Sequence, residues 1–224
     1  MSSSFTYRPS GIYSAQWIPV DASGQLDRTS LAAHLAFERR HGINGVLALG
    51  STGEFPHFSL AERQQVLATV AELAAPLPVI ANISDIRPRA VVELGRFAKS
   101  LGVPAVALMP PPFFPLSQAD LLAFFLHVAE AVQLPVMLYN FPELTGKRID
   151  LATVAAFADR APMCAISSSV TAAPRSRVYP AGWRTRNWKM GPRTARTRTR
   201  ATSADDSGPG VHSRRSKVAN SLVR

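Results

Sequence analysis

The feature that most constrains this chain is a regular alternation of short apolar runs and longer amphipathic stretches. The runs are "GIYSAQWIPV" (11–20), "GVLALG" (45–50), "LPVIANI" (77–83), "PAVALMP" (104–110), "LPVMLYN" (134–140) and "MCAI" (163–166). They are rich in Val, Ile, Leu and Ala without a polar face, which is the pattern of parallel strands buried on both sides. Between them lie five stretches with helical periodicity: 26–42, 59–75, 87–102, 117–133 and 149–161. The first has Leu31, Leu35 and Phe37 among charges and Gly42 placed as a C-cap. The second opens with Ser59 and Glu62 at capping-box spacing.

Strict strand–helix alternation predicts an α/β fold with a parallel sheet and helices outside it. Two architectures satisfy this, a doubly wound open sheet and a (β/α)8 TIM barrel. The first strand–helix turn has no G-x-G-x-x-G, which counts against a dinucleotide-binding sheet. The polar residues of interest lie just past the strand C-termini, as in barrel enzymes. The expected fold is therefore a TIM barrel whose pattern stops after about strand six. The last 57 residues contain one Leu, no Ile and no Phe, so they carry no further strand–helix units.

The charge distribution marks the same boundary. The whole chain has a net charge of +10, which by itself suggests a nucleic-acid binder. Residues 1–167, however, hold twelve Lys and Arg against thirteen Asp and Glu, a net of −1. Residues 168–224 hold thirteen against two, a net of +11. The expected organisation is a partial barrel domain over 1–167 and a basic tail without packed structure over 168–224. Cys164 is the only cysteine, so an internal disulfide is excluded and a cytoplasmic location is expected. The N-terminal residues lack the apolar core of a signal peptide. No apolar run approaches the roughly 18 residues of a membrane helix.

Two loops carry candidate chemistry. "LGSTGEF" (49–55) follows strand two. There Gly50 and Gly53 let a ligand approach the backbone, and successive N–H groups with the Ser51 and Thr52 hydroxyls can hold a carboxylate. The alternative is simple helix capping, with Ser51 and Glu54 at the required spacing. "LYNFPELTG" (138–146) follows strand five. Tyr139 at a strand end can act as an acid/base, or it can be an aromatic side chain that closes the barrel layer.

Taken together and in this order, the motifs resemble the dihydrodipicolinate synthase / N-acetylneuraminate lyase family of pyruvate-dependent class I aldolases. The resemblance covers about residues 8–166. It implies a Schiff-base-forming lyase acting on pyruvate or a related 2-oxo acid, with a homo-tetramer as the usual assembly and no metal or cofactor. By it, Ser51, Thr52 and Gly53 bind the 2-oxo acid, Thr52 with Ser51 relays protons, and Tyr139 is the central acid/base. Phe113 or Phe114 stands where the synthases place a relaying tyrosine. Leu144 stands where they place an arginine for a substrate carboxylate. His57 is read as a loop histidine.

A further departure bears on activity. The family's imine-forming lysine follows the tyrosine by roughly 28 residues, and that count reaches Ser167. The chemistry needs an amine, so this chain is expected to be catalytically defective; Lys147 is the one other lysine near the rim. The switch to Arg-, Thr-, Ser- and Pro-rich sequence inside a motif points to a shift of reading frame just after the Ile166 codon. A competing reading gives the basic tail a nucleic-acid partner, but no recognised binding motif frames its arginines, and nucleic acid is not the expected partner.

Overall fold

A computed structural model describes residues 7–161 and, for the backbone, strand 164–167. The basic segment 168–224, and with it the expected unpacked tail, lies outside the described residues. The strands are β1 (Tyr13–Ala15), β2 (Gly45–Ala48), β3 (Val79–Asn82), β4 (Ala105–Leu108), β5 (Val136–Tyr139) and β6 (Cys164–Ser167). The helices are α1 (Arg28–Arg40), α2 (Leu60–Ala74), α3 (Pro88–Ser100), α4 (Gln118–Val132), a single turn α5 (Pro142–Thr145) and α6 (Leu151–Arg160).

The six strands form one sheet in the order β1-β2-β3-β4-β5-β6, and every pairing is parallel. A doubly wound sheet reverses its strand order at a switch point. This one does not, so each new strand is added on the same side, as in a closing barrel. Among the described residues, no helix is long and apolar enough to cross a membrane.

The two faces of the sheet differ in what they bury. Val46, Ala48, Val79, Ala81, Val106, Leu108, Val136 and Leu138 join the helices in one large core. Phe125 of α4 and Phe157 of α6 sit in that core fully buried, in a T-shaped contact with ring centroids 6.0 Å apart. The other face is a small cluster of Ile80, Ala105, Ala107 and Met137, closed below by Tyr7 and Tyr13. These two tyrosines hydrogen-bond each other, and burial raises the Tyr7 phenol above its ordinary pKa. The mixture of large Ile80 and Met137 with small Ala105 and Ala107 suits a barrel interior filled by side chains.

Local signals fix the helix ends. Asp27 accepts a hydrogen bond from the Ser30 N–H at the start of α1, and Gly42 takes a positive φ of 80° just after the helix. Ser59 with Glu62 and Ser117 with Asp120 form complete capping boxes on α2 and α4. The sequence overstates β1, whose apolar run extends to Val20 while the strand ends at Ala15. Pro19 has no N–H to give a ladder, and Val20 instead bridges Leu26 across a turn held by the Asp21 carboxylate.

Helices α3 and α4 meet at Gly95. A Cβ added there would lie 2.5 Å from Val132 Cγ2 and 3.2 Å from Ile83 Cδ1. Alanine in a helix interior is ordinarily worth about 1 kcal/mol over glycine. Here Gly95→Ala is expected instead to destabilise the fold by about 1–3 kcal/mol through overpacking. Urea unfolding followed by circular dichroism checks the sign. In a Val132→Ala background the penalty should vanish.

Candidate active site

All strand C-termini open on one rim, and the loop after β2 dominates it. Leu49 and Glu54 both take the left-handed backbone conformation, with φ of 57° and 50°, which side-chain-bearing residues adopt at a cost of about 1–3 kcal/mol. The intervening turn is closed by Gly53 N–H to Gly50 O (3.1 Å) and Glu54 N–H to Ser51 O (3.1 Å). Only a single 3-10 turn, Phe55–His57, follows, without a side-chain cap; α2 begins later, at the Ser59 cap. Gly53 is buried, and a Cβ on it would come within 2.9 Å of the Gln16 carbonyl oxygen, so a glycine is needed for the loop to lie against the end of β1.

A buried hydrogen-bond chain holds the strained loop in place. Asn82 Nδ2 donates to Leu49 O (2.6 Å), Ser84 Oγ donates to Asn82 Oδ1 (2.6 Å), and Met109 N–H donates to Ser84 Oγ (2.8 Å). The ends of β2, β3 and β4 are thereby joined. Arg63, on α2 and only 2% exposed, reinforces the same point. Its guanidinium donates to Asp85 Oδ2 (3.1 Å) and Ser84 O (2.9 Å) and lies over the Phe55 ring, 5.1 Å from the centroid. Burial lowers its pKa to about 10, still well above neutrality.

The predicted site residues fall as follows. Ser51, half-buried, places Oγ 3.5 Å from the hydroxyl of Tyr139, 88 residues away in sequence. Tyr139 is 9% exposed at the last position of β5 and stacks on Phe141, with centroids 6.0 Å apart. Thr52 is exposed beside Ser51. In β6, the register pairs Ser167 directly with Tyr139. Lys147 directs Nζ to the Thr145 carbonyl, 3.4 Å away. Phe113 and Phe114 form an exposed edge-to-face pair, with Phe113 at a φ of 78°.

A cleft of about 300 Å³ adjoins the Ser51–Tyr139 pair, and Ser51, His57, Met109 and Leu144 are among the residues that line it. A larger cleft, about 380 Å³, lies between α4 and α6 and reaches Val136, the first residue of β5. It is therefore at the opposite end of the sheet from Tyr139. Among the described residues, no cluster of three His, Cys, Asp or Glu could hold a metal ion.

The family model for dihydrodipicolinate synthetases matches residues 8–176. The chain belongs to this family. The match runs ten residues past the expected limit of 166, into the segment of altered composition. The putative 2-dehydro-3-deoxy-D-gluconate aldolase YagE of Escherichia coli K12 is 34% identical over 139 residues, 62% of this chain and 46% of its own. The N-acetylneuraminate lyase of Rhizobium meliloti is 35% identical over 137 residues, 61% of this chain and 46% of its own. The solved structure of YagE in complex with pyruvate superposes with a TM-score of 0.70 at 31% identity, over 72% of this chain and 55% of that one. The chain thus spans about half the length of the curated relatives it matches. The fold is the family's TIM barrel, of which six consecutive strands are described here.

Asn82, Ser84, Arg63 and Asp85 escape the sequence reading. Asn82 and Ser84 leave a trace, as alternating polar residues ending the apolar run "LPVIANIS". Arg63 leaves none, because within "AERQQ" it looks like any solvated helix charge.

Burial acts to raise the Asp85 pKa, but hydrogen bonds to Arg87 and the charges of Arg87 and Arg63 outweigh it and hold the carboxyl below its ordinary 3.8. A depressed carboxyl stabilises the fold above its unfolded pKa, and that stability is lost as pH falls through the lower folded value. Asp85→Asn is expected to cost about 3 kcal/mol at pH 7, because it leaves the buried Arg63 without its counter-charge. Urea titrations should show the deficit shrinking as pH drops below 3.8. A deficit independent of pH would mean that charge is not what Asp85 contributes.

Proposed function

We propose that the rim around Ser51 and Tyr139 is the 2-oxo acid site of a class I lyase/aldolase, acting on pyruvate or a close relative. The observation that carries the reading is the 3.5 Å approach of the Ser51 hydroxyl, on the loop after β2, to that of Tyr139, at the end of β5. Two hydroxyls at a buried strand end form a proton path, and the Ser51–Thr52 backbone with its two side-chain hydroxyls can receive a carboxylate. Gly53 serves this site by shaping the turn. The complex of YagE with pyruvate supports the choice of substrate.

The same reading makes this chain catalytically defective. In a class I aldolase a neutral amine attacks the ketone, water leaves, and the resulting iminium withdraws electrons from the bond being made or broken. That amine belongs next to the acid/base tyrosine. The position in register with Tyr139 is Ser167. A hydroxyl can add to the ketone only as a hemiketal, which is no electron sink. The proposed organisation is therefore a substrate-binding barrel portion up to residue 167 and a basic segment beyond it produced by a shifted frame. The nucleotide sequence tests this directly. One alternative frame should encode a lysine within a few codons of Ile166, followed by alternating strands and helices over roughly 120 residues, enough for a barrel of usual size. If neither frame does, the frame-shift account is wrong.

Binding tests the site itself. Isothermal titration of the 224-residue chain with pyruvate should show reversible, saturable binding. Ser51→Ala and Tyr139→Phe should each weaken it by about 2- to 12-fold, the value of one hydrogen bond. No binding, or binding indifferent to both changes, would overturn the assignment.

A further inference from the structure

We infer that the cleft beside the Ser51–Tyr139 pair binds an uncharged, apolar carbonyl compound, an alkyl or aryl aldehyde, beside the 2-oxo acid, although this chain lacks the amine to join the two. This rests on the 2-oxo acid reading of the pair itself and adds the chemical class of what meets it. The cleft, about 300 Å³, shares Ser51 with that pair and is walled by Phe55, Met109, Pro110, Pro112 and Leu144. Met109 and Pro110 are buried and pack the floor, while Leu144 stands at the mouth, 55% exposed.

Two hydroxyls on the wall, those of Ser84 and Thr145, are already engaged, while Glu54 and His57 stand at exposed positions. Ser84 Oγ donates to Asn82 Oδ1 and accepts from Met109 N–H. Thr145 Oγ1 lies 3.1 Å from Phe141 O and 3.0 Å from Lys147 O and accepts from Lys147 N–H. Neither hydroxyl has a proton to offer a polyhydroxylated aldehyde. Charge disfavours a carboxylated one. Glu54 and His57 line the cleft at exposed positions, and among its described lining residues there is no Arg or Lys to pair with a carboxylate bidentately. A second carboxylate would meet the Glu54 charge without such a partner. An alkyl or aryl chain meets neither difficulty and gains from covering the apolar wall.

Ligand-observed saturation-transfer NMR on the 224-residue chain tests this with non-reacting stand-ins: benzyl alcohol for an aryl aldehyde, 4-hydroxybutyrate for a carboxylated one, and glycerol for a polyhydroxylated one. Benzyl alcohol should bind about tenfold more tightly than either of the others, the effect of covering roughly 55 Å² of apolar surface. Leu144→Arg, a change at an exposed position, should invert the order by giving 4-hydroxybutyrate a bidentate partner. The inference is overturned if 4-hydroxybutyrate or glycerol matches benzyl alcohol, if none of the three binds, or if Leu144→Arg leaves the order unchanged. Pyruvate in the same samples separates the two levels. Benzyl alcohol binding without pyruvate binding removes the 2-oxo acid reading and keeps the apolar cleft. Pyruvate binding without benzyl alcohol binding does the reverse.

Discussion

Parallel pairing in strict chain order is the constraint on which everything else rests. It buries both faces of the sheet, so the strands must be apolar throughout and the helices must supply the outer layer. It also brings every strand C-terminus to a single rim. Ser51, Ser84, Met109 and Tyr139 lie on or just beyond four different strands, yet they share that rim. The chemistry can therefore vary through loops without disturbing the core.

The rim is held by polar bonds in the interior rather than by the loops themselves. Two left-handed residues in the β2 loop store strain that only a surrounding scaffold can maintain. The Asn82–Leu49 bond and the Arg63–Asp85 pair are that scaffold. Because these groups are buried, removing one partner leaves the other unsatisfied, which costs more than the bond itself contributes.

Much of this was legible in the sequence. The apolar runs located all six strands, and the spacing of Leu31 and Leu35, or of Ser59 and Glu62, placed helices and caps. The order of "GSTGE" and "LYNFPELTG" identified the loops that meet at Ser51 and Tyr139. The end of β1 was not legible, because it is set by Pro19 and the Asp21 turn against a continuing apolar run. Nor was Arg63, since burial of a helix charge depends on what packs over it: the Phe55 ring and the turn after β3. A cleft's polarity is similarly hidden, because it depends on which hydroxyls have already spent their protons.

This rim is proposed to recognise a 2-oxo acid without activating it, because the position paired with Tyr139 is Ser167. On that proposal, imine formation is the step this chain does not reach, and the step leaves a covalent record. Intact-mass spectrometry of the 224-residue chain after incubation with pyruvate and borohydride reads that record directly. An unmodified mass is expected. A stoichiometric reduced pyruvate adduct would contradict this reading, and mapping that adduct to Lys147 would name the amine that takes the missing lysine's place.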